Sequence, residues 1–249
     1  MKSSVRVRVP LLTVAVAMSA CASIPADQLT ESDPWEAANR SMFNVNVAID
    51  NATIKPLSKA YRKVMPSPVR RGVSNFFQNL TTPRSVLNNF LQGKPANGLS
   101  ELARFLLNST IGVGGLFDVA TTTGLEEYSE DFGQTAAVWG VPDGPYLMLP
   151  LLGPQNLRDA LLLPLDFLAD PLFHYDVSSV RDRIYGLRMI DLRFRLLTVD
   201  ELLANSTDPY VTLRESYRQN REFEIYDGDP PEDDDWFDDF LEEEFSEEN

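Results

Sequence analysis

Apolar residues recur along this chain at steps of three and four. Val69, Val73, Phe76, Phe77 and Leu80 keep that spacing, and after Pro83 so do Val86, Leu87, Phe90 and Leu91, ending near Gly93. A period of 3.6 residues carries such positions to one side of a helix, so two short amphipathic helices are expected to abut at Pro83. Leu99, Leu102, Ala103, Leu106 and Ile111 continue the pattern until the glycines at 112–115. Tyr185, Met189, Leu192, Leu196, Val199 and Leu203 alternate steps of four and three along a long helical stretch, a stripe more often core than lipid contact. Helix starts are also readable. In Asp33-Pro34-Trp35-Glu36, Asp33 is placed as the N-cap, Pro34 at the first helical position and Glu36 as the closing residue of a capping box. Asp170-Pro171 and Asp208-Pro209 repeat the signal, with Ser67-Pro68 and Thr82-Pro83 as variants. The fold class expected is all-α.

One segment breaks the pattern. Between Trp139 and Pro154 lie Gly140, Pro142, Gly144, Pro145, Pro150, Gly153 and Pro154, interleaved with Tyr146, Leu147, Met148, Leu149, Leu151 and Leu152. The prolines forbid a continuous helix while the apolar residues favour burial. Either a buried irregular crossover or a hinge or hydrophobic rim at a membrane is expected there. Beyond it, Asn156-Leu157-Arg158-Asp159 opens a very apolar helix from Ala160 to Ala169, with a break expected at Pro164. No run reaches about 18 uncharged apolar residues, so no single helix of the body is expected to span a bilayer. Several apolar helices could instead lie in one leaflet.

The N-terminus adds an address. Lys2, Arg6 and Arg8 precede the apolar stretch Val9–Met18, too short to cross a hydrocarbon core of about 30 Å as a helix. Residues 1–20 are therefore an expected export signal. Met18-Ser19-Ala20-Cys21 places small residues before the sole cysteine and resembles a bacterial lipobox, which makes Cys21 the expected site of cleavage and lipidation. Ala22 after it resembles an outer-membrane address. Residues 21–32 then form a lipidated N-terminus and linker.

Charge is distributed unevenly. The whole chain of 249 residues has a formal net charge of −15, yet fifteen acids and no Lys or Arg lie between Glu222 and Asn249. The remainder is formally neutral. Residues 227–249 are expected to be a disordered acidic tail, although Trp236, Phe237, Phe240, Leu241 and Phe245 keep helical spacing within it. With only five lysines and no basic face, a nucleic-acid partner is not expected.

The same composition limits the chemistry. One Cys and one His are too few for a Cys/His zinc site or a disulfide framework. A Ser-His-Asp triad could use only His174, which is more simply packed between its aromatic neighbours. Gly72-Val73-Ser74-Asn75-Phe76 fails the nucleophile-elbow pattern, and Gly112-Val113-Gly114-Gly115 lacks dinucleotide spacing. Asp131-Phe132-Gly133 has none of a kinase's other signatures. No catalytic residue, metal or cofactor is expected, and the chain is not expected to be an enzyme.

Several motifs carry a family resemblance. They are Asp33-Pro34-Trp35-Glu36 with Asn39, Arg40 and Phe43; Leu91-Gln92-Gly93; Arg104-Phe105 with Asn108-Ser109-Thr110; and Asp131-Phe132-Gly133-Gln134-Thr135. Further along come Trp139-Gly140, Gly144-Pro145-Tyr146-Leu147, Leu149-Pro150, Gly153-Pro154, Arg158-Asp159 and Asp208-Pro209-Tyr210 with Arg214 and Tyr217. Together, in order over residues 33–221, they resemble the VacJ (MlaA) phospholipid-transport lipoproteins. The resemblance implies an all-helical ring embedded in the inner leaflet of the outer membrane, on its periplasmic side, beside a porin trimer and enclosing an amphipathic channel. It also implies removal of phospholipid misplaced in the outer leaflet and its transfer to a periplasmic carrier protein. A porin-associated scaffold without transport is the alternative. Residues 33–226 would be the helical lipid-transport domain, with Gly140, Gly144, Gly153, Tyr146 and Leu147 at the channel rim or hinge. Arg181, Arg188 and Arg195, on one face of the long helix with Asp191, are candidates for phospholipid headgroup contact. A solvated face paired through Arg188–Asp191 and Asp191–Arg195 is the competing reading.

Overall fold

A computed structural model of the chain describes residues 33–231. Cys21 with the export signal, and residues 232–249 of the acidic tail, lie outside the described residues. The chain is mostly helical. α1 (Glu36–Ala52), α2 (Ile54–Val64), α3 (Ser67–Leu91) and α4 (Pro95–Thr110) come first, followed by short α5 (Val119–Thr122) and α6 (Phe132–Val138). A hairpin of β1 (Tyr146–Leu149) and β2 (Gly153–Asn156) leads to α7 (Leu157–Ala169), α8 (Ser178–Arg195), α9 (Val199–Ala204) and α10 (Pro209–Ile225). α3 lies along α4, α2 along α8, α6 against α7, and α1 against β1.

Local chemistry explains most boundaries. Asp208 caps α10 by accepting from the Tyr210 and Val211 N–H groups, with Pro209 at the first position as expected. Asn156 caps α7 by accepting from the Asp159 N–H. Asp131 and Gln134 form a reciprocal capping box on α6, which is the local use of the Asp131-Phe132-Gly133-Gln134 motif. α4 ends at the predicted glycines, where the Gly115 N–H donates to the Asn108 carbonyl at 2.8 Å.

Three sequence expectations are corrected. Neither Pro83 nor Pro164 breaks its helix: α3 runs 25 residues through Pro83, and α7 runs through Pro164. Each proline removes one backbone hydrogen bond, and α3 retains its course because α4 packs along it. Thr81 and Thr82 hydroxyls also donate to the Gln78 carbonyl beside the gap. Asp33 is no cap, because α1 starts at Glu36 and Asp33 is fully buried among distant partners. The long C-terminal stretch is interrupted by a 3-10 turn at Leu196–Thr198 between α8 and α9.

The Pro/Gly segment is not wholly irregular. Tyr146 pairs with Asn156 and Leu149 with Gly153 in an antiparallel hairpin. Gly153 has φ +84° at the end of its turn, a conformation that favours glycine. Two helical side chains take the place of a third strand. Asn39 donates to the Tyr146 carbonyl and accepts from the Met148 N–H, while Asn46 does the same for the Leu149 carbonyl and Leu151 N–H, all at 2.9–3.0 Å. Seven helical residues advance about 10.5 Å, close to the span of three strand residues. One face of α1 thus satisfies the outer edge of β1.

Burial is reversed relative to an ordinary globular protein. Among the described residues, twenty-one buried side chains are polar or charged and nine are apolar. The apolar cluster is small: Tyr146, Met148 and Tyr210, with Met42, Phe43, Val211, Leu213 and Tyr217 against it. Large apolar side chains such as Leu106, Phe117, Leu161 and Leu168 are exposed instead. The interior is held by ionic and amide networks. Asp33 accepts from Asn39, Tyr210 and Arg214, and Asp118 accepts from Arg104 and Asn108.

Candidate functional site

Between α3, α7, α8, α10 and the hairpin opens a cavity of about 680 Å³. Its walls differ in character. Leu163 and Phe167 of α7, Met189 and Leu192 of α8, Leu196 and the hairpin's Leu152 make an apolar side. Ion pairs make the other: Arg84 with Asp166 at 3.5 Å, Arg188 with Asp170, and Arg221 with Asp131 and Asp159. An amphiphile of this size class finds both of its solvents in one cavity. Met189, Leu192 and Leu196 therefore face open space, not the packed core that their periodicity suggested.

Arg221 is the hub of the polar wall. Its Nη1 and Nη2 donate to the two oxygens of Asp131 at 2.8 and 2.7 Å, and its Nε donates to Asp159 Oδ2 at 2.6 Å. Tyr217 donates to the same Asp159 oxygen at 3.1 Å and accepts from the Asn156 N–H. Burial opposes ionisation of Asp131, but the hydrogen bonds and charge of Arg221 hold its carboxyl below the usual range. Burial instead dominates at Asp166, whose pKa is pushed up to about 6 despite Arg84. Gly133 makes this arrangement possible. A Cβ there would meet Asp159 Oδ1 at 2.3 Å and Arg221 Nη2 at 2.5 Å.

A second cavity, of about 430 Å³, lies across Tyr217 and Arg221, which line both. Gly140, Gly144, Tyr146 and Arg158 contribute to its wall. Three of the five predicted rim residues thus meet here. Gly153 sits at the hairpin turn and Leu147 is partly buried on β1, and neither lines this cavity.

The three candidate arginines separate. Arg188 reaches the first cavity, paired with Asp170 rather than with Asp191. Arg195 is exposed and lies 3.4 Å from Asp191, the one expected pairing that forms. Arg181 pairs with its neighbour Asp182 at the surface. Neither Arg181 nor Arg195 lines the two cavities. Asp191 leaves the proposed open face because Ser74 and Tyr61 donate to it from α3 and α2, burying it completely. His174 is exposed rather than enclosed by aromatics, with one edge contact to Phe173.

Periodicity analysis missed Arg84, Asp166 and Arg221. For Arg221 a signal existed: Tyr210, Arg214, Tyr217 and Arg221 recur at steps of four, three and four. That is the spacing of a helical stripe, but on this helix the inward stripe alternates tyrosine with arginine.

The MlaA lipoprotein family model matches residues 31–224. The chain is 39% identical over 214 residues to the intermembrane phospholipid transport system lipoprotein MlaA of Shigella flexneri, covering 82% of each chain. It is 38% identical over 210 residues to the protein of that name from Escherichia coli K12, again covering 82% of each. The Haemophilus influenzae protein is 32% identical over 226 residues, which span 87% of this chain and 89% of that one. A solved structure described as a structural basis for maintenance of bacterial outer membrane lipid asymmetry superposes with a TM-score of 0.69 at 39% identity, covering 78% of this chain and 99% of that one. With the family model spanning nearly all of the described fold, the chain belongs to the MlaA lipoprotein family.

Proposed function

We propose that this protein is an outer-membrane lipoprotein that takes up phospholipid misplaced in the outer leaflet and passes it to a periplasmic carrier protein. The observation that carries this reading is the reversal of burial: polar networks inside, large apolar side chains outside, and a cavity with one wall of each kind. A headgroup moving past hydrocarbon needs polar company throughout. A body exposing Leu106, Phe117, Leu161 and Leu168 is matched to lipid tails rather than to water. No helix among the described residues is long and apolar enough to cross a membrane. The helical body accordingly lies in the inner leaflet, lipidated at Cys21 and seated beside a porin trimer, with the hairpin segment at the rim of the passage. The activity is transport rather than catalysis. Purification in detergent, followed by lipid analysis and identification of a co-purifying porin, tests the reading. Phospholipid at about one or more molecules per chain is expected. Porin without phospholipid would leave a scaffold in place of a transporter.

A further inference from the structure

Formal neutrality of the body conceals one uneven stretch. Residues 51–100 contain eight Lys and Arg and neither Asp nor Glu. Three of these cations find carboxylates from elsewhere in the fold: Lys55 with Asp200, Arg84 with Asp166, and Lys94 with Glu130 and Asp227. A fourth, Arg70, donates to the Arg62 and Met65 carbonyls and closes the end of α2. Lys59, Arg62, Lys63 and Arg71 are exposed and pair with no carboxylate among the described residues. All four lie where α2 turns into α3, and large apolar side chains are exposed among them: Leu57, Val64, Met65 and Val69. Val64, at 74%, is the most exposed large apolar side chain among the described residues.

α2 sorts these groups by side. Ser58 donates to the Ile190 carbonyl and Tyr61 to Asp191, so that side faces α8. Lys59, Arg62 and Lys63 fill an arc of about 100° on one flank, and Leu57 and Val64 lie together on the other, about 160° from its centre. Water on all sides would leave the apolar flank unsatisfied, and hydrocarbon on all sides would strand the cations. A boundary between the two suits both flanks, and four cations without counter-charges favour a boundary that is anionic.

We propose that the α2–α3 corner docks on anionic phospholipid headgroups at the surface of the leaflet, with Leu57 and Val64 below the headgroups and Lys59, Arg62, Lys63 and Arg71 at their phosphates. The assignment goes beyond the transport reading but rests on its membrane placement. The corner is then a second, reversible attachment whose strength follows the anionic lipid content of the leaflet. The chain's own acidic tail is the competing occupant. It leaves from the opposite end of α3, where Asp227 pairs with Lys94, about 37 Å from the corner by the length of a 25-residue helix.

The test reconstitutes the full lipidated protein, and its variant Lys59→Gln, Lys63→Gln, Arg71→Gln, into phosphatidylcholine vesicles at low salt. Trace spin-labelled phosphatidylglycerol or phosphatidylethanolamine is the probe, and the immobilised fraction of its spectrum gives its relative association with the protein. Each cation near an anionic headgroup is worth about fivefold, so a preference of at least about twofold for the glycerol lipid should survive averaging over the whole lipid perimeter. Salt at about 1 M shortens the screening length to about 3 Å and should remove it. The triple variant should lose the preference at low salt while unfolding near the wild-type temperature, because its three side chains are exposed. Unchanged preference in the folded variant, or equal immobilisation of both probes by wild type, would overturn the corner and leave transport, which co-purified phospholipid decides, standing. Immobilisation of neither probe would remove the membrane placement and the corner together. A preference that appears only after deletion of residues 232–249 would give the corner to the tail, and one that disappears in the complex with a co-purified porin would give it to the porin; either would overturn the lipid assignment.

Discussion

Arg221 bonds two carboxylates contributed by distant parts of the chain, and little of its side chain is exposed. Replacing it with Met would leave Asp131 and Asp159 near each other with much less counter-charge. Removing one partner of a buried ionic group costs about 3–5 kcal/mol, so Arg221→Met should lower the denaturation midpoint in detergent sharply, with partial recovery in the double variant Arg221→Met, Asp131→Asn. Equal stability of wild type and single variant would dismiss the hub. A second titratable residue predicts a pH effect. Burial pushes the Glu101 carboxyl up to about 7, even though it accepts from the Tyr128 N–H and lies 3.8 Å from Arg104. Its folded pKa exceeds its unfolded one, so its contribution is complete below the unfolded value near 4.5 and is lost as pH rises through 7. The protein should therefore lose about 1–3 kcal/mol between pH 5.5 and 8, solvent screening included. Asp166 should add to the same slope at lower pH, around 6. Glu101→Gln keeps the acceptor and should flatten the slope, as thermal unfolding across that pH range will show.

Single elements were readable to the extent that their chemistry was local. The starts of α7 and α10 and the end of α4 followed from Asn156, Asp208-Pro209 and Gly112–Gly115, each acting within a few residues. Asp33 looked identical to Asp208 by sequence, but its partners Tyr210 and Arg214 are 177 and 181 residues away. No window along the chain contains them. The hairpin was hidden for the same reason. Its strands have four residues each, one proline lies in its turn and another in β2, and its free edge is satisfied by Asn39 and Asn46 more than a hundred residues earlier. Asn46→Leu should release one end of that edge, raising amide exchange at Leu151 while leaving exchange in α3 and α4 unchanged. Unaltered exchange at Leu151 would show that the hairpin holds itself. Between α6 and α7, Gly133→Ala should destabilise more than an ordinary helical Gly→Ala change stabilises. The added carbon would strike Asp159 and Arg221, which pack from two other elements. Guanidinium unfolding of this variant in detergent should show a lower midpoint with the same slope.

The molecule as a whole turns its polar positions inward, which explains why the candidate site was only partly visible. Amphipathic spacing located the helical stretches, though not where α3 and α8 end, and cannot say which side of each faces the interior; that depends on whether water or lipid surrounds the body. Arg188 was found because it stands on a readable helix, whereas Arg84 and Asp166 matter only once α3 and α7 are brought together. At the end of α10, Asp227 pairs with Lys94 and so belongs to the folded body rather than to the acidic tail in which its sequence placed it. Deletion of residues 232–249 should leave the folded body intact. If the tail docks a basic carrier, the deletion should also weaken carrier affinity at low salt more than at high salt. Equal affinity at both salts would reduce it to a solubilising appendage. Cys21→Ser should abolish fatty-acid labelling and release from the outer-membrane fraction any protein not otherwise inserted.

Turning the molecule inside out also alters its thermal behaviour. The heat capacity of unfolding in water comes chiefly from apolar groups newly exposed to solvent, while newly exposed polar groups lower it. Here the apolar groups already face outward, and detergent covers them before and after unfolding, so melting releases mainly buried carboxylates, guanidiniums and amides. The heat-capacity increment in micelles should therefore fall well below the ~12–15 cal/mol/K per residue of soluble domains. Its stability curve should be correspondingly flat, without a pronounced maximum near room temperature.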